Sequence, residues 1–250
     1  MAREGDAATE WQAQLNNVGW GWLVPAMPSI AALFARTMEE MFFVGTGFAG
    51  PPGNQLVTAR HVAEELFEIQ DSAPWESKII TLMPTPAGMV EIDIVGIWAS
   101  HKNNISSDLA TVRLSDGQME TAGIALTRLP LKDVQVEVGE TLYSVGFATM
   151  PKKFNLSDAT NAFEVTGEPR IVAAPVVSVH DSISNIAAPV FKMEFEMPGG
   201  MSGGPILRPN GDVVGICSYG NTEGEPWFCY GSMLAPLWKP ISEAEEWLPQ

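Results

Sequence analysis

The stretch Gly199-Gly200-Met201-Ser202-Gly203-Gly204-Pro205 limits what this chain can become more than any other. It sets one small hydroxyl among four glycines and ends on a proline. Glycine has no Cβ, so such a run can turn sharply and let another backbone come close. The proline ends the turn and leads into the apolar pair Ile206-Leu207. A serine on a turn of this kind presents its Oγ at a surface, with neighbouring amide N–H groups aimed at one point. A nucleophile beside backbone donors is what acyl transfer needs.

Two other stretches complete the pattern. Thr58-Ala59-Arg60-His61-Val62 comes early, and Ser107-Asp108-Leu109-Ala110-Thr111-Val112-Arg113-Leu114 lies between it and the serine. Taken together and in this order, the three resemble the chymotrypsin/trypsin-like serine peptidases, including the bacterial HtrA-like members. Those proteins carry T-A-x-H, D-L-A and G-x-S-G-G-P in the same sequence. The resemblance spans roughly residues 29–240. It implies an all-β protein of two six-stranded antiparallel barrels, and the C-terminal residues Leu237–Leu248 read as a short helix. The PDZ domain that HtrA-like proteins usually append is not expected within these 250 residues.

Composition fits a single large all-β unit. The chain has 250 residues, 46% of them hydrophobic. A formal net charge of -16 argues against nucleic acid or an anionic membrane as partner, since both need Lys/Arg patches. The first apolar run, Val18 to Phe34, follows Glu4, Asp6 and Glu10 and is broken by Pro25 and Pro28. It is neither a signal peptide nor a membrane span, and a cytoplasmic location is expected. Only Cys217 and Cys229 occur, without the disulfide framework of secreted trypsin relatives, which favours a reducing compartment. The two cysteines fall on what read as adjacent strands. They either pair as a disulfide or stay as two buried thiols.

The expected organisation is a leader (residues 1–28), a first barrel (29–126) carrying His61 and Asp108, a connection (127–135), and a second barrel (136–250) carrying Ser202. Trp11, Trp20 and Trp22 would pack the leader onto the body. In the first barrel, strands are expected over Ser29–Arg36, Met41–Ala49, Gln55–Ala59, Ile79–Met83, Val90–Ile97 and Leu109–Leu114, with one or two helical turns over Val62–Phe67. Asp116-Gly117 reads as a turn. In the second barrel, Thr141–Phe147, Val165–Ala173, Val176–His180, Val190–Met197, Ile206-Leu207, Val213–Ser218 and Phe228–Met233 read as strands. Ala148–Ala162 reads as a polar loop, and Asn210-Gly211 as a two-residue hairpin turn.

The resemblance implies a serine endopeptidase acting on protein or peptide through an acyl-enzyme, with no metal and no organic cofactor. His61 would take the Ser202 proton and return it to the leaving amine, Asp108 would orient the imidazole, and the N–H groups of Gly200 and Ser202 would form the oxyanion hole. Ser218, Tyr219 and Gly220 would bind the substrate backbone and wall the specificity pocket. Glu196 falls at the pocket floor of trypsin-like members, where a carboxylate would select Arg or Lys. An apolar pocket lined by Met197 and Tyr219 is the alternative. The other histidines, His101 and His180, sit outside any motif and read as surface or strand residues; His101 is the one rival, because its loop runs into Asp108. Met201 replaces the Asp that zymogen-activated members carry before the nucleophile, which leaves open what holds the oxyanion loop. Arg60 replaces the usual Ala before the histidine. The rival reading is a binding or scaffold protein on the same fold, inactive until a regulatory partner orders that loop.

Overall fold

Strand β1 (Ile30–Arg36) is apolar at nearly every position and is buried on both faces. Alternate residues divide: Ala31, Leu33 and Ala35 enter one core, while Ala32 and Phe34 enter a second cluster on the other side. A strand covered on both faces must sit between layers, and that is where the rest of the chain puts it. The computed structural model describes residues 29–50, 53–72, 77–85, 88–99, 108–132, 134–148, 153–155, 169–183, 186, 189–220, 229–233 and 245–246.

The first barrel closes through β1, β4 (Lys78–Thr85), β5 (Gly88–Ala99), β6 (Ala110–Leu114), β3 (Gln55–Thr58) and β2 (Glu40–Ala49), which pairs back onto β1. The second runs β7 (Thr141–Phe147), β9 (Pro169–His180), β10 (Val190–Met193), β13 (Cys229–Met233), β12 (Val213–Gly220) and β11 (Pro205–Leu207), which returns to β7. Both are six-stranded and antiparallel, the chymotrypsin-like architecture. Leu33, Phe48, Leu56, Ile92 and Val112 fill the first barrel, and Leu142, Val176, Phe191, Ile206 and Val214 the second. No helix among the described residues is long and apolar enough to cross a membrane.

Several elements differ from the sequence expectation, each for a local reason. The helix at His61 is a full α-helix, α1 (Arg60–Ser72), because Val62, Leu66 and Ile69 continue one apolar stripe into the barrel core. Asp116-Gly117 opens a second helix, α2 (Asp116–Ala122), closed by Gly123 at φ 65°. The strands expected on either side of Pro175 are one strand, β9; its pairing with β10 begins only at Val176, so Pro175, opposite Thr141 of β7, lies past the end of that ladder and its missing N–H costs no β10 bond. Strand β10 stops at Met193, short of Met197. The β11–β12 connection spans Arg208 to Asp212 instead of a two-residue turn. Arg208 N–H donates to Asp212 O at 2.9 Å, and Asn210 Oδ1 accepts from Asp212 N–H at 3.1 Å.

Two short strands tie the second half of the chain to the first barrel. β8 (Lys153–Asn155), inside the expected polar loop, pairs with β2. β14 (Glu245–Glu246) pairs with β5, so these two residues are extended where a helix was expected. The rest of the 237–248 stretch, the tryptophans of residues 1–28 and His101 lie outside the described residues.

Candidate active site

His61 and Asp108 come together because β3 and β6 are neighbours. Thr58 at the end of β3 pairs with Ala110 at the start of β6. The chain leaves β3 into the first turn of α1, carrying His61, and Asp108 enters β6 from the same end. His61 Nδ1 lies 3.0 and 2.9 Å from the two Asp108 carboxylate oxygens. The His61 backbone N–H donates to Asp108 Oδ1 at 3.0 Å. Asp108 is therefore held at three points while its residue is only 8% exposed. The carboxylate accepts the Nδ1 proton, so the neutral ring carries its lone pair on Nε2.

The imidazole side chain is 43% exposed. Burial of part of the ring lowers its pKa, but the hydrogen bond to Asp108 and the charges of Asp108, Glu65 and Glu64 outweigh this and raise it from 6.5. Arg60 turns away to its own helix, donating from Nε to Glu64 Oε1 at 2.8 Å. The charge before His61 is thus partly neutralised where it stands.

The serine loop sits against the same corner. Gly203 N–H donates to Cys217 O at 2.7 Å, and Cys217 N–H to Gly204 O at 2.8 Å, which fastens the loop to β12. A Cβ on Gly203 (φ 83°) would meet Thr46 O at 2.2 Å, Thr58 Oγ1 at 2.2 Å and Ala59 N at 2.8 Å. A Cβ on Gly45 would meet Val62 Cγ2 at 2.7 Å and Ser202 O at 3.0 Å. Ser202 and Gly203 thus press onto the residues that flank His61. Only glycine permits this approach. No hydrogen bond among the described residues joins Ser202 Oγ to the imidazole. Such bonds are often long in a ligand-free peptidase and tighten around substrate.

Upstream of the serine, Met201 N–H donates to Pro198 O at 3.3 Å across a turn whose third residue, Gly200, has φ 96°. This is type II geometry, which requires a positive φ there. Met201 is fully buried, so the residue before Ser202 anchors the loop by packing, not by charge.

Of the residues expected to bind substrate, Ser218 is buried, Tyr219 is 38% exposed and Gly220 is half-buried, all on β12. Pairing of β12 with β11 ends at Ile216, and the Cys217–Gly204 bonds extend it no further than the serine loop. On that side no described strand covers the end of β12. Met197 lies behind Gly220, whose added Cβ would meet Met197 Cβ at 3.1 Å, and receives the Cys229 thiol on its sulfur at 3.4 Å. Glu196 is exposed. Both cysteines are free and buried, and burial, with Cys217 alongside, pushes the Cys229 thiol well above its usual pKa. Among the described residues, no group of three or more His, Cys, Asp and Glu side chains is placed to hold a metal ion.

Two six-stranded barrels with an Asp–His pair at one end and a glycine-rich serine loop pressed against it define the chymotrypsin-like class. The chain belongs to the family of the trypsin-like peptidase domain, whose model matches residues 45–216. No curated protein matches the sequence. Among solved structures it is similar to Deg5, with 15% identity over 95% of both chains and a TM-score of 0.61. It is also similar to the MamO protease domain from Magnetospirillum magneticum, with 16% identity over 86% of this chain and 96% of that one, and a TM-score of 0.59. The active form of the Rv3671c protease from M. tuberculosis matches with 16% identity over 95% of this chain and 88% of that one, at a TM-score of 0.58. At these identities the likeness is one of fold.

Proposed function

We propose that the chain is a serine endopeptidase in which His61, Asp108 and Ser202 act as the triad. The observation that carries this reading is the His61–Asp108 pair at 2.9 Å, set against a loop whose glycines bring Ser202 onto the residues flanking His61. Ser202 Oγ attacks the scissile carbonyl while His61 Nε2 takes its proton. The oxyanion receives hydrogen bonds from the N–H groups of Gly200 and Ser202, an interaction worth about 2.7–4 kcal/mol per donor. His61 then protonates the leaving amine, and water repeats the sequence to release the acyl group. Asp108 holds the ring and stabilises the imidazolium.

The end of β12 from Ser218 to Gly220 accepts the substrate as an added strand, along the side where no described strand pairs with it. Exposure of Glu196 and the position of Met197 between Gly220 and Cys229 favour an apolar pocket over a carboxylate-floored one. The substrates are proteins or peptides with an apolar residue before the cleaved bond.

A fluorophosphonate probe tests the reading. Wild type should label, and Ser202→Ala and His61→Ala should each abolish labelling. A peptide library should then show no preference for Arg or Lys. A folded wild type that does not label sinks the enzyme reading. It would support the second one, a scaffold whose serine loop awaits a regulatory partner.

A further inference from the structure

The buried hydroxyl of Thr46 lies at the seam of the two barrels, on β2, and four hydrogen bonds converge on this residue. Thr46 N–H donates to Ser202 O at 2.8 Å. Thr46 Oγ1 donates to Gly200 O at 2.8 Å and accepts from Phe147 N–H at 3.0 Å. Thr46 O accepts from Thr58 Oγ1 at 2.7 Å. A hydroxyl has one proton to give. With a Thr46 lone pair taken by the Phe147 N–H, that proton is directed at Gly200 O. The residue is fully buried, so water does not compete.

The surroundings are shaped to admit it. A Cβ on Gly146 of β7 would meet Thr46 Oγ1 at 3.1 Å and Met201 Cα at 3.1 Å, and one on Gly203 would meet Thr46 O at 2.2 Å. Phe43, on the same strand, lies so close that a Cβ on Gly200 would meet its ring at 2.2 Å. The Gly200 carbonyl fixes the plane of the Gly200–Met201 peptide. The Ser202 carbonyl fixes the other end of the loop. Between them lies Met201, whose buried side chain brings no charge that could orient anything.

We infer that Thr46 is the positioning residue for the oxyanion loop, clamping the carbonyls of Gly200 and Ser202 from the first barrel so that their N–H groups face the reacting carbonyl. This rests on reading residues 200–202 as the oxyanion loop. It supplies, from the other barrel, a directional restraint that the packing of Met201 does not.

The test compares wild type with Thr46→Val, which keeps the shape and removes the hydroxyl, and Thr46→Ser, which keeps the hydroxyl. Three readouts are needed: kcat and KM on a peptide amide, affinity for a peptide boronic acid, and amide hydrogen exchange over residues 198–204. Thr46→Val should lose roughly ten- to a hundredfold in kcat, part of the factor for losing one oxyanion donor outright, with KM nearly unchanged. Boronate affinity should fall by a similar factor, exchange over 198–204 should rise, and Thr46→Ser should restore all three. Should the valine variant not fold, Thr46→Cys, a weaker donor of similar size, should fall between wild type and that loss. Unchanged kcat and exchange in Thr46→Val overturn the inference, as does a loss that serine does not rescue. A wild type without peptidase activity sinks the enzyme reading instead. The exchange comparison still decides whether Thr46 holds the loop.

Discussion

His61 is where the electrostatics of the site become measurable. Its pKa is raised from 6.5, since the Asp108 hydrogen bond and nearby carboxylates outweigh burial of the ring. In the proposed mechanism the general base is the neutral imidazole, so activity should be lost as pH falls through this raised value. The acidic limb of kcat/KM should therefore lie above pH 6.5 in the free enzyme. Asp108→Asn removes the two largest raising influences and should shift the limb down while lowering kcat by about 10⁴-fold, the factor known from the triad template. A limb at or below 6.5 in wild type, with a kcat loss under about tenfold in the variant, would contradict this account of Asp108. Both residues were legible in the sequence because their motifs are local. Thr46 was not. Its hydroxyl acts on Gly200 O, 154 residues away, and nothing in the spacing of the two announces the contact. Glu196 was read from its place in the motif alone. Counting back from Ser202 suggested a pocket floor, but β10 ends at Met193 and the chain beyond it bends, leaving the carboxylate exposed.

At the scale of elements, the apolar runs and turn clusters disclosed nearly all the strands. What they hid was where elements stop. Helix α1 extends well past Phe67, where the expected one or two turns ended, because Ile69 keeps to the stripe of Val62 and Leu66. Strand β9 passes through Pro175 because its pairing with β10 begins only at Val176, an arrangement visible only once the strands are paired. The short pairings β8–β2 and β14–β5 join segments far apart in the chain and leave no periodic signature. The long form of α1 carries a prediction. Leu66 is fully exposed to the core and buried from solvent, so Leu66→Ala should cost about 2–5 kcal/mol in denaturant unfolding. Because α1 begins beside His61, the same variant should lose fluorophosphonate labelling earlier in a urea series than its global unfolding. Coincident curves would mean that the helix and the barrel open together and that the site has no separate weak point.

Across the whole molecule the governing quantity is charge. The formal net charge is -16, and Glu64 and Glu65 beside His61 place part of it at the mouth of the site. Arg60 offsets Glu64 through their ion pair. A negative field of this kind draws in cationic ligands and speeds their encounter, and it weakens as salt shortens the screening length from about 30 Å at 0.01 M to about 8 Å at 0.15 M. With the proposed apolar pocket behind Gly220, any preference for cationic substrates should come from approach and not from the residue at the cleaved bond. Two peptides with the same apolar residue at that bond separate these effects, one flanked by lysines at a distance and the other by neutral polar residues. At low salt the lysine peptide should show the higher kcat/KM, and the advantage should shrink several-fold as salt rises through the physiological range, while the neutral peptide changes little. The difference should lie in kcat/KM and not in kcat, because encounter and not chemistry is being steered. An advantage that survives high salt would instead mean a short-range contact, and would return Glu196 to consideration as the group that makes it.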